Sequence, residues 1–343
     1  MKNINKKCSG CGGDLIFSPL FQNLICEKCG NKIAIESNGN FVKHNIDSNF
    51  NNIGTNDKHI NITYSCQNCG ANLKGESLNY STKCVYCGSN SVIADFSNSD
   101  IYPDAIIPFK IDKSKIFETF KQSVKHKPFL PNSFKKSFNL NNAQAFYFPS
   151  FCFDSNTHSN YKGTLYTTSN DSDGHTHTIY YDINGNYDTQ INNLCIESSS
   201  KLSQSQLDGI KPYNFDKAKV FNVDYLRGFD TEYHNCSLQN SYTLSRTYIK
   251  EIIKDKILSK YSYTGVHSLT IKTTYSNEKY FYCLLPAYKI TCQYKEKDYN
   301  TIMNGQTGKV SGKLPKSKVK IFFLILAIMF FLFIIIGLSI ILD

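Results

Sequence analysis

Eight cysteines stand in four Cys-x-x-Cys pairs: Cys8 with Cys11, Cys26 with Cys29, Cys66 with Cys69, and Cys84 with Cys87. Two thiolates three residues apart on a tight turn can point at one ion, and two such knuckles close a tetrahedron. Each cysteine of the first set recurs 58 positions later, and Gly12, Leu15 and Gly30 recur as Gly70, Leu73 and Gly88. The chain therefore begins with a duplicated module of two knuckles separated by fourteen residues. Glycines after Cys11, Cys29, Cys69 and Cys87 allow the backbone geometry that knuckles require. Four thiolates fill the shell of Zn2+ and leave no position for water or substrate, so two structural zinc sites are expected. Iron in a rubredoxin-like site is the alternative for tetrahedral sulfur. Leu15, Ile16, Phe17, Leu24 and Ile25 are too few for an unaided core, so metal binding and folding of the module are one event.

The compartment decides between ligands and disulfides, and the C-terminal end of the sequence speaks to it. Residues 321–342 are 22 consecutive positions without a charge, about 33 Å as a helix and enough to cross a bilayer. Lys309, Lys313, Lys316, Lys318 and Lys320 precede this run with no acidic residue among them, and only Asp343 follows. The positive-inside rule then places everything before residue 321 in the cytosol, at the cytoplasmic membrane. The start, MKNINKKCSGCGG, has no apolar stretch of a secretion signal. In a reducing cytosol paired cysteines read as ligands, and Cys152, Cys195, Cys236, Cys283 and Cys292, which lack ligand spacing, read as small buried thiols.

The elements between follow from pattern. The expected organisation is multidomain: a zinc ribbon at 1–36, an Asn-rich linker at 37–60, a second ribbon at 61–100, an α+β domain at 101–300, a Lys-rich juxtamembrane segment at 301–320 and one transmembrane helix at 321–342. In the α+β domain, Asp112 can cap a helix over 113–127 with Ile116, Phe117, Phe120 and Val124 on one face, ended by Pro128. Residues 164–168 and 175–183 alternate as strands, and Asn184-Gly185 supplies the residues of a tight hairpin turn leading to 186–191. A second helix is expected over 242–258 on Leu244, Tyr248, Ile249, Ile252 and Ile257, then strands at 268–274 and 279–293. Strands and helices in runs indicate α+β.

Four stretches carry a resemblance: IIPFKIDKSKIFETF at 106–120, FYFPSFCFD at 146–154, NVDYLRGFDTEYH at 222–234, and LPAYKITCQYKEKDYNTIMNGQTGKVSGKLPKSK at 285–318. Together they resemble bacterial transcription-factor-IIB-type zinc-ribbon-containing single-pass membrane proteins, over nearly the whole chain. The resemblance implies a strand hairpin ending in the Asn-Gly-Gln-Thr-Gly-Lys turn, followed by a Leu-Pro step into the hydrophobic tail. Cys152 departs from it, standing where a second large aromatic is expected, and residues 170–174 look like a local elaboration.

Other chemistry is weaker. Gly305-Gln-Thr-Gly308-Lys309 is not a phosphate loop: Met303 stands where the first glycine belongs, Val310 where Ser or Thr belongs, and no helix follows in place. His175 and His177 share one side of a strand, with His158 elsewhere, and exposed strand histidines explain them. The Asp171-Ser-Asp173-Gly174 stretch lacks the length and terminal Glu of a calcium loop and reads as a polar turn. No nucleophile has a recognisable base, so catalysis is not expected. The formal charge of +10 invites a nucleic-acid partner. Only Arg227 and Arg246 offer the planar fork suited to phosphates and bases, however. Residues 1–100 carry a formal +1, which two loaded four-thiolate sites lower to about −3. The reading is a non-catalytic recruitment module that binds a protein partner at the membrane, with nucleic-acid binding through the ribbons as the alternative.

Overall fold

The computed structural model describes residues 7–36, 39–46, 63–66, 71–74, 79–82, 86, 92–94, 102–137, 139–171, 173–199, 202–232, 234 and 236–342. In chain order the first strands are β1 (Leu15–Ser18), β2 (Asn23–Cys26), β3 (Lys32–Ile33) and β4 (His44–Asn45). Then come β5 (Thr63–Cys66), β6 (Asn72–Lys74), β7 (Asn79–Thr82), β8 (Val92–Ala94) and β9 (Ala105–Ile106). Helices α1 (Ile116–Lys125) and α2 (Asn132–Ser137) lead into the long strands β10 (Asn139–Asn170) and β11 (Thr176–Glu197). After α3 (Gln204–Ile210), β12 (Lys219–Val220) and β13 (Asp230–Glu232) comes α4 (Leu238–Leu258). The chain ends with β14 (Gly265–Tyr294), β15 (Lys297–Asn304), β16 (Val310–Gly312) and α5 (Lys318–Leu342).

The pair β10 and β14 is the spine of the fold. They run antiparallel from Asn139 opposite Gln293 to Tyr166 opposite Gly265, with bulges at three places. Where they cross the body, residues 145–153 and 280–288 are buried on both faces, as the uninterrupted apolar runs AFYFPSFCF and YFYCLLPAY require. Pro149 and Pro286 sit inside these runs without breaking them. β13 pairs with Phe146 and Tyr147, and β11 takes over from Ser150, so Pro149 falls at the change of neighbour and its missing N–H is not called upon. Pro286 likewise falls between the β9 pairing at Leu284 and the β15 pairing at Ala287.

Side chains divide by strand alternation. Tyr147, Phe151 and Phe153 face a core with Phe109, α1 and the cysteine module, while Phe146, Phe148 and Cys152 face a second core with α3. On α1 the buried positions are Ile116, Phe120 and Val124, and Asp112 accepts from the Ser114 amide. Phe117, expected on that face, is exposed, one position round the helix. Helix α4 begins four residues before the expected start, capped by Ser237, and buries Leu238, Ser245, Ile249, Ile253 and Ile257 rather than Leu244. It covers one face of the outer part of β10, β11 and β14, where Tyr161, Leu165 and Ile183 pack beneath it. The opposite face of that arm is polar, with Asn156, His158, Asn160 and Lys162 turned outward.

Three expectations differ. The hairpin does not turn at Asn184-Gly185: β11 runs straight through, with Gly185 opposite Tyr161, and the turn lies at residues 171–175. A Cβ at Gly185 would stand 2.8 Å from the Tyr161 hydroxyl, so this glycine answers a ring rather than a turn. Asp171 instead builds the turn, accepting from the amides of Asp173 and His175. The Asn-rich segment is partly fixed: Phe41 packs on Phe281, β4 pairs with β14, and His44 bonds Asp104 at 2.7 Å. The second cysteine-rich segment is joined to the body, since β7 pairs with β13 and thereby brings β8, β5 and β6 into the main sheet, while β1, β2 and β3 form a sheet of their own.

The Asn-Gly-Gln-Thr-Gly-Lys motif is a buried hairpin turn between β15 and β16. Asn304 Nδ2 donates to the carbonyls of Ile210 (2.9 Å) and Pro212 (3.2 Å), and its Oδ1 accepts from the amides of Gln306 (2.8 Å) and Thr307 (2.9 Å). Gly308 has a φ of 78°, and a Cβ on Gly305 would stand 2.5 Å from the Phe109 ring. Replacing Asn304 by Ala takes a partner from four backbone groups, the buried Ile210 carbonyl and Gln306 amide among them, so Asn304→Ala should lower unfolding free energy by about 3 kcal/mol, read as denaturant midpoint in detergent. Asn304→Asp should not restore it, because its second oxygen would face the Ile210 and Pro212 carbonyls.

Burial and the nearby Glu232 charge raise the Glu197 carboxyl from 4.5 to about 7, against the opposing Ser199 bonds. The folded state therefore holds this proton more tightly than the unfolded chain. Its contribution to stability is present below about pH 4.5 and declines through pH 7, by up to about 3 kcal/mol. Glu197→Gln should flatten the profile of melting temperature against pH between 5 and 8 and raise the value at pH 8.

Candidate metal centre

The first module is a pair of matched turns. The Gly12 amide donates to the Cys8 carbonyl (2.8 Å) and the Gly30 amide to that of Cys26 (2.9 Å). Both glycines are left-handed, at φ 68° and 72°. Each knuckle is closed from behind, Cys8 N–H donating to Gly13 O (3.0 Å) and Cys26 N–H to Asn31 O (2.9 Å). Between the knuckles, β1 and β2 pair Leu15 with Cys26 through Ser18 with Asn23. The sequence fourteen residues long between Cys11 and Cys26 is thus a hairpin that returns the second pair to the first.

This brings the sulfurs of Cys8, Cys11, Cys26 and Cys29 within 4.8 Å of one another. Cys8 Sγ lies 3.5 Å from Cys29 Sγ, and Cys11 Sγ lies 3.5 Å from Cys26 Sγ. A tetrahedral ion with metal–sulfur bonds of about 2.3 Å has sulfur–sulfur edges of roughly 3.8 Å, so this donor set could hold a metal ion with little adjustment. A Cβ on Gly13 would stand 3.0 Å from Cys26 Sγ and 3.3 Å from Cys11 Sγ, so a side chain there would crowd two of the sulfurs. The electrostatics also ask for a cation. The Gly10 amide, helped by that of Cys11, draws the Cys8 thiol down to about 6 against desolvation. The Cys29 amide does the same for Cys26. Cys29 is pushed up to about 12: the Asn31 amide favours its thiolate, but the sulfurs of Cys11, Cys8 and Cys26 together outweigh it. Four thiolates at this spacing repel unless a positive ion sits among them.

The module is docked, not free. The Phe17 amide donates to the Arg227 carbonyl (3.0 Å), and its ring packs on Tyr225 and Phe229. Gln22 Nε2 donates to the Phe109 carbonyl (2.8 Å) and to Pro19 O (2.7 Å), pinning the hairpin tip. Leu15, Phe17 and Leu24 are buried, whereas Leu20 and Phe21 at the tip remain 57% and 45% exposed.

The second set is not placed in the same detail. Cys66 closes strand β5, and its side chain, like Cys69, Cys84 and Cys87, lies outside the described residues. Among the remaining cysteines, Cys283 and Cys292 are buried thiols, each raised by desolvation, Cys292 to about 11. Cys152 and Cys195 correct the expectation of free thiols: they form a disulfide across β10 and β11. The register that sets them opposite depends on the turn at 171–175. A turn at 184–185 would have sent Cys195 elsewhere, which is why spacing alone missed the bond. The histidines are not gathered: His177 pairs with Asp171 at the hairpin tip (2.9 Å), His158 with Asp188 along the arm.

Cys11→Ser should remove about one equivalent of metal per chain relative to the parent by elemental analysis. Chelation should raise amide exchange across residues 8–31 while β10 and β14 keep their protection.

The chain is similar to the uncharacterized protein YdjG of Bacillus subtilis (strain 168), 28% identical over 322 residues, covering 93% of this chain and 92% of the relative. No protein-family profile and no solved structure matches it.

Proposed function

We propose that this chain is a membrane-tethered zinc-ribbon protein, of the transcription-factor-IIB-type class that its motifs resemble, acting as a non-catalytic module that recruits a protein partner to the cytosolic face of the membrane. In this reading Cys8, Cys11, Cys26 and Cys29 hold one structural Zn2+, and Cys66, Cys69, Cys84 and Cys87 hold a second. Helix α5 is long and apolar enough to cross a bilayer, and the lysines before it set the soluble body on the cytosolic side. The Cys152–Cys195 bond is compatible with that compartment because both sulfurs belong to residues no more than 2% exposed, away from thiol exchange.

The observation that carries the reading is the hairpin tip of the first module. Leu20 and Phe21 are exposed yet held, since Gln22 ties the turn to Phe109 in the body and Lys32 Nζ sits 3.5 Å over the Phe21 ring. An ordered apolar tip loses little conformational freedom on association. Its chemistry suits a protein surface better than a phosphate backbone. Both arginines are also committed inside the body, Arg227 to Asp224 and Arg246 to Glu278, each at 2.8 Å.

A photo-crosslinking residue at position 21 of the full chain, in cells, should yield adducts to one defined protein that disappear with Leu20→Ser or Cys11→Ser. Adducts to nucleic acid, or retention on DNA that falls steeply with salt and needs the ribbons, would favour the alternative and sink this reading.

A further inference from the structure

Helix α5 leaves the body at a fixed point. Lys320 Nζ donates to the carbonyls of Leu130 (2.8 Å) and Pro128 (3.3 Å) and to Asn132 Oδ1 (2.9 Å), and the Ser317 amide donates to the Phe129 carbonyl (2.8 Å). Lys320 is the last charge before the apolar run, so residues 128–132 stand at the level where hydrocarbon begins. Upstream, the two segments stay strapped together. Lys127 Nζ donates to Val310 O (3.3 Å), the Val310 amide donates to Ser123 Oγ (3.2 Å), and Gly308 abuts Thr119. The end of α1 and the juxtamembrane segment therefore descend to the helix exit side by side.

Both segments are basic throughout. Residues 121–137 contain Lys121, Lys125, Lys127, Lys135 and Lys136 with no acidic residue, and residues 309–320 contain five lysines with none. These ten lysines equal the formal net charge of the whole chain, and everything else cancels. Lys121, Lys125, Lys313, Lys316 and Lys318 are exposed, and Phe129 stands 39% exposed at the same corner. Acidic residues on adjoining elements do not offset the cluster. Glu118 on α1 follows Lys113 and Lys115, and in the β14–β15 turn, packed on α2 through Tyr294 and Phe134, Glu296 and Asp298 alternate with Lys295 and Lys297. Topology explains the lysines of 309–320 but not those of 121–137. Orientation is read from charges within about 15–20 residues of a span, and the earlier group lies far outside that window. Like charges gathered at one helix exit repel one another unless an anionic surface faces them.

We propose that residues 121–135 and 309–320 together form a binding surface for anionic phospholipid headgroups of the leaflet that α5 enters, with Phe129 seated at headgroup depth. The proposal rests on α5 crossing a bilayer. The surface holds the body down on the membrane, so the first cysteine module is presented at a set height rather than on a swinging tether. Juxtamembrane lysines each strengthen attraction to such a surface by about fivefold, and salt screens it.

The full chain, reconstituted in bilayers, provides the test. Spin-labelled phosphatidylglycerol should associate with it several-fold more than spin-labelled phosphatidylcholine in 0.1 M salt, and the preference should collapse in 1 M salt. Lys121→Gln with Lys125→Gln should lower the preference at least twofold with unchanged circular dichroism. The chain has no tryptophan, so Phe129→Trp reports depth by itself and should be quenched by lipids brominated high on their chains. No lipid preference, a preference untouched by the Lys121 and Lys125 changes, or an unquenched Phe129→Trp each overturns the proposal. Extraction of the chain from bilayers by alkaline carbonate would show instead that the anchor reading had failed.

Discussion

The contact on which the rest depends is the aromatic junction at Phe109. Its ring stacks on Phe229 at 4.5 Å and meets Tyr147 and Tyr288 edge-on at 4.9 and 5.0 Å. Its amide donates to the Tyr147 hydroxyl, and its carbonyl accepts from Gln22. Gly305 abuts the same ring, and the Lys110 and Ile111 amides donate to the Gly305 carbonyl. One residue thus touches the spine strands, the tip of the cysteine hairpin and the turn that leads to α5. Buried side chains at native packing density do not move independently. Fixing Phe109 therefore fixes the position of the four-cysteine cluster relative to the point where α5 leaves the body.

Much of this was legible in the sequence where the signal is local. The two knuckles of the first cysteine set were readable because ligand spacing and left-handed glycines are properties of a few adjacent residues. Helix α1 was readable from Asp112 and the Ile116, Phe120, Val124 spacing, and α5 from composition alone. What failed needed partners distant in sequence. Asn184-Gly185 is a fair hairpin turn by itself, yet Tyr161 claims Gly185 across the sheet, and Asp171 builds the turn instead. That single error of register hid the Cys152–Cys195 bond. Leu244 fits a helical stripe with Tyr248 but loses to Ser241 and Ser245, small residues that let α4 lie close to the sheet. The Asn-rich segment gave no periodicity because β4 is only two residues long.

The charge changes meaning once the fold is known. In the sequence the lysines of 121–137 belong to an amphipathic helix and its flank, where a basic face reads as ordinary solvation. The bonds from Lys320 to residues 128–132, with those between Lys127, Ser123 and Val310, bring that face beside the lysines of 309–320. With those ten removed from the account, the remainder of the chain is formally neutral, and a four-thiolate site loaded with a divalent ion would add about −2. A nucleic-acid reading of the net charge would need the surplus on the modules that could present it, and it is not there.

A small metal module usually owes its fold to the ion alone. Here it has a second support, because Leu15, Phe17 and Leu24 are buried against the body and β1 is tied to the chain at Arg227. The two supports act on different parts. Docking holds the hairpin strands and the Gln22 corner, whereas four thiolates within 4.8 Å need a cation among them to stay deprotonated together. An ion held there would be less a scaffold for the hairpin than a clasp on its two knuckles. Losing it would free the ends of the module first, residues 8–13 and 26–31, and the disturbance would then run inward along the hairpin to the exposed Leu20–Phe21 tip. The apolar tip and the four-cysteine cluster are coupled through β1 and β2, four residues each, a path short enough that strain at the knuckles reaches the tip.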